Sequence, residues 1–166
     1  MTSTQASSPP RPSGDVAALF RSRYLEMVRL AGLLGADDPE DIAQEAFARL
    51  MRKGALDTDP VPYLRAIVCN LTRNRHRHLR VVREKTPRPV SEPSPEQAAI
   101  VREDHAEVIA ALAALPARRR EAIVLRFWLG LSEREIAATM GVSPGTVKSQ
   151  VSRGLAALAR ALEAKA

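Results

Sequence analysis

At 166 residues and 45% hydrophobic composition, the chain is too apolar to stay disordered and has room for one ordinary domain or two small ones. Aromatic residues make up only 4%, so a core must come from Leu, Ala, Val and Ile, which suits helices better than a β-sandwich. A net charge of +6 directs the protein toward polyanions, and no apolar run approaches the roughly 20 residues of a bilayer span, which disfavours a membrane role.

Met1 to Gly14 is rich in Ser, Thr and Pro, carries one charge, Arg11, and lacks the apolar stretch of a signal peptide. It is expected to be a disordered tail on a cytoplasmic protein. A first helical domain is expected over residues 15–83. Within it Leu19, Phe20, Tyr24, Met27, Val28, Leu30, Ala31 and Leu34 recur at helical spacing between Ala17 and Leu34. After a break at Gly35–Asp38, Asp38 supplies an N-cap, Pro39 the first helical position, and Glu40 and Asp41 acids in the first turn. This second helix turns Ile42, Ala43, Ala46, Phe47 and Leu50 to one side and stops near Gly54. The prolines of Leu56–Pro62 hold a loop. A long helix then starts near Pro62, apolar at Tyr63, Leu64, Ile67, Val68 and Leu71, and strongly cationic from Arg73 to Lys85.

Glu84 to Pro95 has four prolines in twelve residues and reads as an extended linker. A second domain is expected over residues 96–166. Its first helix, Gln97–Leu115, is apolar at Ala99, Ile100, Val108, Ile109, Leu112 and Leu115. Pro116 begins another, with a basic first turn at Arg118–Arg120, a core face of Ile123, Val124, Phe127 and Trp128, and an end at Gly130. The fold class is therefore all-α: two small helical domains joined by a Pro-rich linker.

Ser132-Glu133-Arg134-Glu135 is a capping box, with Ser at the cap and Glu three residues on. The helix it starts buries Ile136, Ala137 and Met140, and Gly141 follows where the chain must turn. Ser143-Pro144 opens the next helix, whose inner face is Val147, Val151, Leu155 and Leu158 with Val142 ahead of it. Two short helices about a Gly-Val turn have the pattern of a helix-turn-helix. Thr146, Lys148, Ser149, Ser152 and Arg153 project from the outer face, hydroxyls and cations suited to base edges and phosphates. A plain helical hairpin with a polar outer face is the bland alternative. Agreement of caps, turn and charge favours DNA reading.

Taken in order, three segments resemble the sigma-70 family of RNA polymerase sigma factors. DPEDIAQEAFARL (Asp38–Leu50) is similar to sigma region 2, YLRAIVCNLTRNRHRHLR (Tyr63–Arg80) to the promoter-melting helix after it, and Leu115–Leu162 to sigma region 4. The pattern is that of the small two-domain extracytoplasmic-function (ECF) group, most like its actinobacterial SigE-type branch. The resemblance implies that Asp41, Gln44, Glu45 and Phe47 meet the polymerase clamp, with Phe47 divided between that role and the core. It implies that Asn70 and Asn74 handle the melted minus-10 element, and that Arg73, Arg75 and Arg77 meet phosphates beside it. It places Lys148, Ser149, Ser152 and Arg153, with Thr146, at the minus-35 element. Where the family often has a tryptophan early in the melting helix, this chain has Tyr63. Core RNA polymerase and promoter DNA are the implied partners, and an anti-sigma factor a common one in the family.

A flipped base needs polar groups at its edge, which an Asn amide supplies as donor and acceptor. Cations beside it add salt-sensitive affinity. Arg118–Arg120 is expected against DNA backbone or polymerase, with a merely solvated face as the alternative. Two other readings compete with this one. A duplex-binding regulator without polymerase would not require the Asp41–Phe47 pattern or Asn70. A nucleic-acid enzyme would need a phosphate loop, zinc-ligand spacing or a nucleophile motif, and none is present. No catalytic residue, metal or cofactor is expected. His76 and His78 point in different directions on one helix and extend the basic surface. His105 is expected to be solvated, and Cys69 a small packing residue.

Overall fold

A computed structural model describes residues 12–54, 56–85 and 105–165, and their regular structure is helical throughout. Seven α-helices are found among them: α1 Pro12–Leu33, α2 Pro39–Lys53, α3 Pro60–Lys85, α4 Ala106–Ala113, α5 Ala117–Ile123, α6 Glu133–Met140 and α7 Pro144–Glu163. A π-helical turn, Val124–Trp128, extends α5. No described helix is long and apolar enough to cross a membrane.

The helix starts follow their caps. Asp38 Oδ1 accepts the Asp41 N–H at 3.1 Å, and Pro39 fills the first position of α2, where no amide is needed. Asp59 does the same for α3, accepting the Val61 N–H at 3.0 Å. That cap starts α3 two residues before Pro62, because Pro60 and Pro62 both fit an unpaired first turn. At its other end α3 runs to Lys85, inside the expected linker. The first helix likewise begins at Pro12, inside the expected tail. Residues 1–11 of that tail, 86–95 of the linker and 97–104 of the Gln97–Leu115 helix lie outside the described residues.

Helices α1, α2 and α3 pack on one another, and α5, α6 and α7 form a second group, with α4 on α7. One apolar cluster runs through both, from Met27, Leu30, Phe47, Leu64 and Val68 to Leu125, Ile136, Met140 and Val147. It crosses where α3 lies against α6. Leu112, Leu115 and Ile123 form a smaller cluster under Val151, Ala157 and Leu158.

Two core expectations fail for geometric reasons. Phe127 and Trp128 are 59% and 40% exposed, not core. In the π turn the Leu129 N–H reaches back five residues to Val124 O, and the extra residue carries both aromatics past the buried stripe. Leu155 is 41% exposed, and Gly154 is buried in its place. At 3.6 residues per turn, Val151, Gly154 and Leu158 fall within roughly 40° of Val147, while Leu155 lies roughly 80° away. A Cβ on Gly154 would lie 2.9 Å from Ile123 Cγ1, so glycine lets α7 approach α5 closely.

Candidate nucleic-acid interface

The helix-turn-helix is built from α6, Gly141 and α7. Ser132 Oγ accepts the Glu135 N–H at 3.2 Å, and the Glu135 carboxylate accepts the Ser132 N–H at 2.7 Å. That return bond, with the Ser132 hydroxyl beside it, holds the Glu135 carboxyl below its ordinary range. Gly141 sits at φ 67 and ψ 36, a left-handed turn that a side chain resists. Ser143 Oγ then accepts the Thr146 N–H at 3.2 Å and starts α7. Ser132→Ala is expected to cost about 1 kcal/mol of stability, read as a lower urea midpoint.

Thr146, Lys148, Ser152 and Arg153 are exposed on α7, Ser149 is half-buried, and Val147 beneath them is buried. The Thr146 hydroxyl is engaged by Ser143 Oγ at 2.9 Å. Outward chemistry therefore rests mainly on Lys148, Ser152 and Arg153.

On α3, Asn70, Asn74 and Arg77 are exposed and follow one another at i, i+4 and i+7, along one stripe. The two other arginines expected at phosphates are already paired with groups of the chain itself, Arg75 at the surface and Arg73 within the fold. Arg75 Nη2 donates to Asp41 Oδ2 at 2.6 Å, and this bond raises the arginine's affinity for its proton. Arg73 turns inward, with Nε 3.3 Å from Glu121 Oε1 and Nη2 donating to Thr139 O at 3.2 Å. Its ion-pair angle falls outside hydrogen-bond geometry. Tyr63 is half-buried, with Lys53 Nζ 4.9 Å over its ring.

The clamp candidates sit on α2. Asp41 and Gln44 are exposed; Asp41 holds Arg75, and Gln44 Nε2 donates to Tyr24 OH at 3.4 Å. Glu45 accepts from Arg49 and Arg52, each at 3.0 Å, and those bonds keep its carboxyl below the usual range. Phe47 is 2% exposed and packs edge-on against Phe20 at 5.0 Å, in the core.

Sequence reading missed a polar junction between the helical groups. Arg118 and Arg120 do not form an outer basic face. Arg118 Nη1 donates to Glu121 and Nη2 to Met140 O, both at 3.0 Å. Arg120 donates to Leu112, Ala113 and Leu115 carbonyls at the end of α4, and to Leu34 O at the end of α1. His76 Nε2 donates to Gly35 O at 2.9 Å. Burial pushes the Glu121 carboxyl above its ordinary range, against the pull of Arg73 and Arg118. Cys69 is buried beside them, and burial drives its thiol far above the usual cysteine range.

With this geometry in place, the likeness to known proteins is specific. Residues 105–158 match the family described as Sigma-70, region 4. The chain is 36% identical over 159 residues to the ECF RNA polymerase sigma factor SigE of Mycolicibacterium smegmatis, covering 86% of this chain and 62% of that protein. It is 33% identical over 150 residues to the RNA polymerase sigma-E factor of Streptomyces coelicolor, covering 87% and 84%. Among solved structures, the sigma factor RpoE of Bartonella quintana, in complex with the anti-sigma factor NepR, superposes with a TM-score of 0.68. Its identity is 24%, over 90% of this chain and 97% of that one. CnrH in complex with the cytosolic domain of CnrY gives 0.65 at 25% identity, over 93% and 91%. The chain belongs to the extracytoplasmic-function group of the sigma-70 family.

Proposed function

We propose that the protein binds core RNA polymerase in the cytoplasm and directs promoter-specific initiation, while the polymerase performs all the chemistry. The observation that carries this reading is the pairing, in one chain, of two polar stripes. One is Asn70, Asn74 and Arg77 on α3; the other is Lys148, Ser152 and Arg153 on the second helix of a helix-turn-helix. Amides suit the edge of an unpaired base at minus-10, and long cations suit the major groove at minus-35. Arg77 is the phosphate contact at the first site. Arg73 and Arg75 serve the protein's own structure first, since each already holds a carboxylate.

Asp41, Gln44 and Glu45 offer the clamp a polar face on α2, and Phe47 supports that face from the core. Clamp docking must compete with the Asp41–Arg75 bond, which ties this face to α3. The relatives' names support core polymerase as the partner, and the solved complex of RpoE with NepR supports an anti-sigma factor as a second one. Purified protein added to core enzyme on genomic DNA is expected to produce defined transcript start sites sharing two upstream elements. No core binding and no defined starts would sink this function.

A further inference from the structure

Asp41, Gln44 and Glu45, the polar groups of the clamp face on α2, each already have a partner in the chain. Gln44 donates to Tyr24 OH at 3.4 Å, and Glu45 accepts from Arg49 and Arg52, each at 3.0 Å. The Glu45 partners are carried on α2 itself, so they travel with the face and remain part of any interface built on it. Asp41 differs. Its partner, Arg75, reaches over from α3, and Nη2 donates to Oδ2 at 2.6 Å. The two side chains are 33% and 52% exposed, so the pair lies at the surface, open to an incoming protein.

Helical phase separates Arg75 from the DNA-reading stripe. At 3.6 residues per turn, Asn74 and Arg77 fall within roughly 40° of Asn70, whereas Arg75 lies roughly 140° away. That side of α3 is turned toward α2, so Arg75 does not share the phosphates proposed for Arg77. It meets the start of α2 instead, where Asp37, Asp38, Glu40 and Asp41 fall within five residues. The Asp41 bond strengthens the arginine's hold on its proton, and Asp37 and Asp38 add to it. Arg75 is thus the counter-ion that α3 supplies to this acidic turn. An exposed pair of this kind is weak, so a cation on a docking protein can compete for the same carboxylate oxygen. While Arg75 holds that oxygen, the turn offers such a partner less negative charge, and charge-steered association is slowed.

We propose that Arg75 is a built-in competitor for the polymerase clamp, occupying Asp41 in the free protein and yielding that carboxylate to a basic side chain of the clamp on docking. This role rests on the function proposed above, and it replaces the phosphate contact expected of Arg75.

The test measures binding of the full chain to core RNA polymerase without DNA, at low and at high salt. Arg75→Ala is expected to tighten binding about threefold at low salt, the scale of one exposed ion pair, with the gain fading at high salt. Arg75→Glu also adds negative charge to the turn and should tighten binding further, through faster association. Arg75→Lys keeps the charge and stays near wild type. The urea midpoint separates this from damage to the fold, because each variant that binds better has lost a surface pair and gains no stability. In an Asp41→Asn background the gain from Arg75→Ala disappears, since there is no carboxylate left to release. Core affinity that is unchanged or weaker in Arg75→Ala overturns the competitor role, and so does a gain that survives in Asp41→Asn. Unchanged core affinity with a reduced salt slope for promoter DNA overturns it too, and returns Arg75 to the phosphates. If the wild type itself fails to bind core, the proposed function falls; if it binds and Arg75→Ala does not tighten it, only the competitor role falls.

Discussion

Replacing Glu121 by alanine is expected to lower the unfolding free energy by about 3 kcal/mol, read from the urea midpoint at an unchanged m-value. The side chain is 3% exposed and faces Arg118 at 3.0 Å and Arg73 at 3.3 Å. Its removal leaves both guanidiniums without a counter-charge in a partly dry junction. Their own exposures, 38% for Arg118 and 19% for Arg73, let water repair some of the loss, which keeps the cost at the low end for a broken buried pair. The acid's titration adds a direction with pH. Burial raises the Glu121 pKa in the fold despite Arg73 and Arg118, so its neutral form is the better tolerated one. Such a group stabilises most below the ordinary carboxylate range and loses that contribution as pH rises through its raised pKa. Measured against Glu121→Gln, the wild type should lose ground as pH rises above the ordinary carboxylate range. A gap moving the other way would mean that the ionised pairing outweighs burial.

Arg153→Ala is expected to reduce discrimination among minus-35 variants by roughly 1–3 kcal/mol, the value of a bidentate base contact. Arg153 is exposed on α7, one step beyond Ser152 and five beyond Lys148, over a helix seated by Val147 and Gly154. The measurement compares binding of the variant, with core polymerase, to duplexes differing at single base pairs. General affinity should fall less than selectivity. A uniform loss over all sequences, with the salt slope reduced by about one, would make Arg153 a phosphate contact instead.

Local chemistry was legible in advance. Asp38-Pro39, the Ser132–Glu135 box, Gly141 and Ser143-Pro144 each act through neighbours three or four residues away, and each does in the fold what its spacing implies. The exposed stripe at Asn70, Asn74 and Arg77 follows from the same periodicity. Long-range pairing was not legible. Periodicity locates apolar faces, so an inward arginine looks the same in sequence as an outward one. In sequence Arg73, Arg118 and Arg120 look like surface cations, yet Arg73 pairs with Glu121 and Thr139 O and Arg120 with Leu34 O across the two helical groups, while Arg118 turns to Glu121 and Met140 O within its own. The π turn at Val124–Trp128 escaped for a related reason: it carries no compositional mark, and one extra residue per turn is enough to expose Phe127 and Trp128. Gly154 was passed over because a missing side chain adds nothing to a hydrophobic count, although it sets how closely α5 and α7 approach.

The buried Cys69 has a practical consequence. A chain with a single cysteine can oxidise only by joining a second molecule or by climbing to its oxyacids, and both routes begin at the thiolate. Here the sulfur is shut away in a position that disfavours ionisation. Preparations kept in air, without reductant, should therefore hold their thiol titre and gain no covalent dimer. A denaturant that uncovers the sulfur should release both reactions together.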